Sequence, residues 1–582
     1  VSVATPAIVS SQAAQRLPRL LLLLLCVGYV LPGLFGRDPW KAADITAFGH
    51  MLALSQGGAD WWAPAITGHP ADASSPLTYW LGAVAIRLWD AWLPADLAVR
   101  LPFAGLVAST LAATWYAAYH FSRMPAAQPV AFAFGGEASP GDYARAVADG
   151  ALLALIACLG LAQLSHETTP AVVQLAALSW SLLGMAAVRR RPLLGGLALF
   201  MGLAGLSLAG APTLALCVGL LAWLVQGLLP WLKRQPVGDQ ASGFADNTQP
   251  ASRYALSLPM GTISLALLVA VAAAAAGPGW TLQMDVPATA QQWSSLARLF
   301  LWFGWPAWPL AAWTLWRWRG RLAHTHLLIP LAVVALTAAA TIVTRGADRT
   351  LLVGLPALAV LAAFALPTLQ RSVGALVDWF TLLFFTGCAA VIWLFWLAMQ
   401  TGYPAPAAAS IKRLYGGFEP TFQALPFVIA LLATMAWVAL VAWRVGRHRH
   451  PIWKSLALPA GGATLSWLLL STLWMPLLNH VRSYTVMAKE VAQVVGQGTC
   501  VLSNQLNPAQ VVALQYHAQL QVRAASSGDE NCEWMAVDAD RLAQHSMGRG
   551  PEGSFTDWRW QGLIKSSTGR DDELALYRRV QP

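Results

Sequence analysis

A chain of 582 residues that is 57% hydrophobic and 11% charged, with 29 tryptophans, carries too much apolar surface to stay in water, which excludes a soluble globular protein and leaves an integral membrane protein. Its net charge of +10 sits in short basic clusters between apolar runs, not in one patch, so it speaks for orientation in a bilayer and against nucleic acid as a partner. Six cysteines, of which Cys26, Cys158, Cys217 and Cys388 lie inside apolar runs, exclude a disulfide scaffold and a zinc site.

The Leu-rich run Leu17–Phe35 is long for a secretory segment, and no small-x-small cleavage site follows it, so it reads as a retained first span. Pro76–Leu93 is apolar but short and carries Arg87 and Asp90, which predicts an amphipathic helix along the membrane surface. Spans are predicted at Ala98–Phe121, Val147–Leu164, Pro170–Val188, Pro192–Leu208, Ala211–Leu229 and Leu256–Ala276. Six more follow at Ser295–Trp316, Leu327–Val343, Leu351–Leu366, Ala375–Met399, Ala424–Trp443 and Leu456–Trp474, giving about thirteen with the first. With a cytoplasmic N-terminus, Arg123, Arg189–Arg191, Lys233, Arg234, Arg317, Arg321, Arg371, Arg444 and Lys454 all fall inside. Counting Pro76–Leu93 as a span would put those clusters outside. The first loop, residues 36–97, and the tail then face outward.

The predicted organisation is a polytopic α-helical membrane part, 1–475, followed by a small soluble α/β domain, 476–582. In the tail, Tyr484–Val495 and Pro508–Leu520 read as amphipathic helices, and Cys500–Asn504, Glu533–Val537, Trp558–Ile564 and Leu574–Val580 as strands. On an oxidising side of the membrane Cys500 and Cys532 are a candidate disulfide.

The first loop is the most chemically loaded stretch, with Arg37, Asp38, Lys41 and Asp44 just past the first span. Pro39 suits the first position of a helix, so Asp38 is placed as its N-cap, with Lys41 paired to Asp44; the alternative is that this charged cluster does chemistry. Trp61, Trp62, Tyr79 and Trp80 suit an interfacial anchor or a wall for sugar or lipid. Few charges remain inside the spans, and no chain of buried carboxylates or broken helix is apparent, which weighs against a transporter.

These residues resemble a known family. Asp38-Pro39-Trp40-Lys41-Ala42-Ala43-Asp44-Ile45 is similar to the acidic first-loop motif of the GT-C class of polyprenyl-phosphate-sugar glycosyltransferases, the branch of lipid A aminoarabinose transferases and protein O-mannosyltransferases. Asp60, Trp61, Pro64, Gly68 and Pro70, then Pro76, Leu77, Tyr79 and Trp80, follow the same family pattern, as does Val99-Arg100-Leu101-Pro102. The chain departs from it at Pro39, where the family has a second acid, at Ala73 and Ser74, where it has an acid and a lysine, and at Thr169 and Ser207-Leu208-Ala209.

The resemblance implies transfer of a sugar, with inversion, from an undecaprenyl phosphate carrier to a lipid, glycan or protein acceptor on the periplasmic side of a bacterial inner membrane, with no cofactor and no metal. It implies Asp38 as base, with Lys41 and Asp44 beside it, and Lys41, Arg345 and Arg349 as phosphate partners, Arg37 and His69 behind them. For the arginines the other readings are lipid headgroups or a surface pair with Asp348; for His69, a loop hydrogen bond. Asp72 and Glu167 either replace the missing family acids or are solvated loop residues. Lys412, Arg413 and Tyr415 are placed on the acceptor side by topology. Competing with an active enzyme are a catalytically degenerate scaffold of the same fold and a lipid-linked-sugar transporter.

Overall fold

The computed structural model describes residues 5–40, 42–57, 59–228, 253–276, 285–344, 347–445, 451–525, 532–539, 557–564 and 573–580. The expected first span is helical only over α1 (Arg19–Val30), bounded by Pro18 and by Pro32 and the positive-φ Gly33. The first loop holds α2 (Ala43–Gln56) and α3 (Pro76–Trp89) ahead of the long α4 (Ala95–Ser122). At 14 residues, α3 reaches about 21 Å, short of a hydrocarbon core of about 30 Å. Next come α5 (Pro140–Ala157), the single turn α6 (Leu161–Leu164), α7 (Pro170–Ala187), α8 (Pro192–Leu208), α9 (Pro212–Trp223) and α10 (Arg253–Ala276). Several of these begin on proline, where its missing N–H costs nothing.

The second half runs α11 (Ala290–Phe303), α12 (Ala307–Arg317), α13 (Thr325–Val343), α14 (Asp348–Val353), α15 (Leu355–Ala363), α16 (Arg371–Thr401), α17 (Ala405–Leu414), α18 (Ala424–Val445) and α19 (Ala457–Leu473). Among the described residues, six helices, α4, α7, α13, α16, α18 and α19 (the last counted with the turn leading in from Ile452), are long and apolar enough to cross a membrane, and α1, α8, α9, α15 and the stretch Met260–Ala273 of α10 are shorter apolar helices. Within this set Asp378 of α16 accepts from both Nε and Nη2 of Arg444 of α18, which neutralises the one acid in that stretch of α16.

Three expected spans are broken. Val147–Leu164 stops after Ala157, Ser295–Trp316 is divided at Gly304-Trp305-Pro306, and Leu351–Leu366 is divided at Gly354. The first two breaks satisfy each other: Leu159 N–H donates to the Trp305 carbonyl at 3.2 Å and Gly160 N–H to the Phe303 carbonyl at 3.0 Å. A Cβ on Gly160 would lie 2.4 Å from the Phe303 ring, so this approach requires glycine. The expectation of unbroken spans was therefore wrong here, because interrupting either helix is affordable only when the other is interrupted beside it.

The tail holds α20 (Met475–Arg482), α21 (Thr485–Val495), β1 (Cys500–Asn504), α22 (Pro508–Tyr516), β2 (Gln521–Ala524), β3 (Trp534–Asp538), β4 (Trp558–Ile564) and β5 (Leu574–Arg579). They form a five-stranded sheet in the order β2-β1-β3-β5-β4, parallel across the first three strands and antiparallel at β5 and β4. Cys500 and Cys532 are joined as a disulfide. The sheet does not stand apart. One apolar core contains Ile45, Phe48 and Met51 of α2 together with Val491, Val512 and Trp534 of the tail. The helices α2 and α22 meet closely at Gly49, where a Cβ would lie 2.2 Å from a Val512 methyl, and Phe48 meets Tyr516 edge-on at 4.8 Å.

Candidate functional site

The stretch 37–40 is extended, and α2 begins only at Ala43 with Ala42 at its N-cap, so Asp38 is not the cap that Pro39 suggested. The chain is held open by Asn479 of α20. Its Nδ2 donates to the Gly36 carbonyl at 2.8 Å, and its Oδ1 accepts from the Asp38 N–H at 3.2 Å and the Trp40 indole N–H at 3.1 Å. The Trp40 backbone N–H, which an Asp38 cap could have taken, donates instead to Asp44. The Trp40 ring lies 4.9 Å from the Arg37 guanidinium carbon and 5.6 Å from that of Arg482.

Beneath this stretch sits a cluster of buried charge. Asp44 accepts the Thr168 N–H at 2.6 Å and the Thr168 hydroxyl at 2.7 Å on one oxygen, and the Trp40 N–H at 3.1 Å on the other, where Arg37 Nη2 also lies 3.1 Å away. Arg37 Nη2 donates as well to the His166 carbonyl at 2.7 Å. The Arg37 and Asp44 side chains are 0% and 1% exposed. Burial pushes the Asp44 carboxyl up, but Arg37 and the Thr168 and Trp40 hydrogen bonds more than offset this, and it is held below its ordinary range.

Glu167, one residue from Thr168, has a different setting. Its only side-chain hydrogen bond among the described residues comes from Arg349 Nη2 at 2.8 Å. Its side chain is 2% exposed against 35% for Arg349. Burial, and next the neighbouring Asp44 charge, push its carboxyl up despite Arg349. Glu167 is thus not a solvated loop acid, and the main partner of Arg349 is Glu167, with Asp348 at 3.9 Å. The 165–169 loop, which follows the end of α5 and the single turn α6, is buried at Ser165, Glu167, Thr168 and Thr169. Arg37 Nε and Nη1 and Arg349 Nε are buried without a hydrogen-bond partner among the described residues.

The structure therefore brings Arg37, Asp44, Glu167 and Arg349 together, with Asp38 adjoining through the backbone. Half-buried Asp38 takes its side-chain bonds from the tail, the Thr485 hydroxyl at 2.7 Å and the Ser483 hydroxyl at 3.1 Å, both on Oδ2. Asp72 and His69 lie elsewhere in the first loop. Asp72 accepts from the Tyr79 hydroxyl at 2.5 Å and the Ser74 N–H at 2.8 Å and lies 3.8 Å from His50 Nε2. His69 donates its backbone N–H to the Ile66 carbonyl at 2.9 Å. Asp348 borders a cavity of about 680 Å³ lined by Thr289, Gln292, Ser295, Leu296 and Leu299. Lys41 and Arg345 fall outside the described residues. Among the described residues no three of His, Cys, Asp and Glu gather as a metal site.

Sequence reading missed Thr168, Asn479, Ser483, Thr485 and the pair of Arg100 with Asp96, 2.9 Å apart, whose acid also accepts the Tyr516 hydroxyl at 3.0 Å. The one available signal was the Asn479-x-x-x-Ser483-x-Thr485 spacing, which puts polar groups at the start of the tail.

No protein family model matches the chain, and no curated protein matches it. Solved structures do. ArnT from Cupriavidus metallidurans in the apo state superposes with a TM-score of 0.60 at 16% identity, covering 97% of this chain and 98% of that one. The same ArnT bound to undecaprenyl phosphate gives a TM-score of 0.58 at 14% identity with the same coverage. At these identities the likeness is one of fold, and it extends through the membrane helices and the tail alike. The chain is a polytopic helical membrane protein with the ArnT fold over nearly its whole length, small C-terminal sheet included.

Proposed function

We propose that this chain is a glycosyltransferase of the bacterial inner membrane that moves a sugar from a polyprenyl phosphate carrier to a lipid, glycan or protein acceptor at the periplasmic face. The observation that carries the reading is the ArnT fold across 97% of the chain, one of those structures being bound to undecaprenyl phosphate. In the proposed step an acceptor hydroxyl gives its proton to Asp38, its oxygen bonds to the anomeric carbon, and the carbon–oxygen bond to phosphate breaks with inversion. Arg349 takes the leaving phosphate. Its side chain is one-third exposed, and its planar fork suits a phosphate bidentately.

Lys41 and Arg345 remain in this proposal as further phosphate partners. Asp44 and Arg37 shape the floor, because every lone-pair direction of Asp44 is already engaged. Metal independence is part of the proposal, and so is the division into a membrane part, 1–475, and a periplasmic domain, 476–582. The mutual pairing of the buried charges also favours a second reading, a catalytically silent member of the fold that binds lipid-linked sugar.

The experiment that separates them follows free undecaprenyl phosphate released from the lipid-linked sugar pool of isolated membranes, with and without a chelator. Active transfer predicts release that falls about 100-fold or more in Asp38→Asn at unchanged expression and is indifferent to the chelator. Release with the wild-type chain no greater than from membranes lacking it leaves the silent reading.

A further inference from the structure

The tail contributes more than packing. Asp38 lies in the first loop, yet among the described residues both of its side-chain hydrogen bonds come from positions more than 400 later, at the junction of α20 and α21. The two hydroxyls are not equivalent. Ser483 Oγ lies 3.1 Å from Asp38 Oδ2 but 2.7 Å from the Asn479 carbonyl, so its single proton is better spent inside α20. Thr485 Oγ1 lies 2.7 Å from Asp38 Oδ2, and its alternatives, the ring nitrogens of His517, are at 3.4 and 3.5 Å. The Thr485 proton therefore belongs to Asp38.

Thr485 is also the first residue of α21, whose N-terminal end favours a carboxylate. Both bonds fall on Oδ2, and Oδ1 takes no hydrogen bond from a described side chain. The Asp38 backbone is fixed separately by Asn479. Backbone and one oxygen are thus both held from the tail, so the direction of the other oxygen is set as well.

We propose that Thr485 is a positioning residue of the transfer reaction, holding the Asp38 carboxylate by one oxygen so that the other faces the acceptor hydroxyl, and that the C-terminal unit is thereby a working part of the site. This rests on Asp38 acting as the base. The proton of the acceptor goes to Oδ1 while the Thr485 hydroxyl keeps its own proton and its bond to Oδ2. Nothing is consumed in the hold itself. The titratable groups around this corner are His517 of α22, whose ring feels Asp38, Asp96 and Lys489, and the guanidinium groups of Arg37 and Arg482 around Trp40. None of them offers the carboxylate a hydroxyl donor, so none substitutes for Thr485.

The test compares full-length Thr485→Val, Thr485→Ser and Asp38→Asn in membranes, using the lipid-linked sugar fraction extracted from the host as donor and released undecaprenyl phosphate as readout. Thr485→Val is expected to lower kcat about tenfold with KM unchanged. Thr485→Ser, which keeps the hydroxyl, is expected to restore kcat. Wild-type kcat in Thr485→Val, with Asp38→Asn inactive, would overturn the positioning role and leave the base in place. Full activity in Asp38→Asn would overturn the base itself. Should the valine variant fail to accumulate, Thr485→Ala against Thr485→Ser decides the same question.

Discussion

Two acid–arginine pairs meet beneath the first loop, and they are built on opposite plans. In the inner pair, Asp44 has its lone pairs filled by Thr168, Trp40 and Arg37, both partners are shut from water, and the carboxyl is held ionised. In the outer pair, Glu167 has one hydrogen-bonded partner among the described residues, that partner is one-third exposed, and the carboxyl is pushed toward its neutral form. A charge with all its bonds made is a strut, because moving it exposes several unsatisfied donors at once. A charge with one bond and a raised pKa can let its partner go by taking a proton. The contrast separates what holds this site together from what is free to meet a ligand.

The largest effect is expected from breaking the strut. Asp44→Ala leaves the fully buried Arg37 guanidinium without its counter-charge, which costs about 3–5 kcal/mol. Thermal unfolding of the detergent-solubilised protein should show it, with loss of the folded species in the extreme case. Adding Arg37→Met should recover part of the loss, because an apolar pair removes the stranded charge. If Asp44→Ala alone melts like the wild type, the inner pair is not a strut. Next in size is Arg349→Ala, where Glu167 is left alone but is already inclined to protonate. Folding should therefore survive, while affinity for undecaprenyl phosphate falls by about tenfold or more, the worth of a charge-assisted hydrogen bond. Titration of the purified variant with that lipid measures this. Unchanged affinity would move the phosphate away from this guanidinium.

How much of this was legible in the sequence follows from the same physics. Long apolar runs with at most one charged residue each announced α4, α7, α13, α16, α18 and α19, since a span's requirement is local. The breaks were not legible. Leu159 and Gly160 look like span residues until Phe303 and Trp305 supply the carbonyls that their N–H groups need, and no local pattern reports a partner so far away. Strand β2 was missed because only Val522 of its four residues is buried, too short an alternation to count. Arg37, Asp44, Glu167 and Arg349 were each picked out by type, but Ser165-His166-Glu167-Thr168-Thr169 reads as a solvated loop. Ser165, Glu167, Thr168 and Thr169 are instead buried, past the break after α5. Asp38 was placed as a helix cap, but α2 starts only at Ala43, and the residue that binds the chain on either side of Arg37, Asn479, comes more than 400 positions later.

The smallest effect sharpens the comparison most, because it uses pH to tell the pairs apart. Glu167 has a pKa raised above its ordinary value of 4.5, so its contribution to stability is complete below that pH and is lost as pH rises through the raised value. Asp44 has a pKa lowered from 3.8, so its contribution is complete above that pH and is lost as pH falls through the lowered value. Glu167→Gln removes the first dependence and leaves the second. Melting temperatures of wild type and Glu167→Gln should therefore run parallel below about pH 4.5 and separate above it, the wild type losing ground by on the order of 1–2 °C. At the acid end both should fall together, because Asp44 is intact in each. A wild type that instead gains on Glu167→Gln as pH rises above about 4.5 would mean that Glu167 is held ionised, and the outer pair would then be a second strut, not a releasable contact.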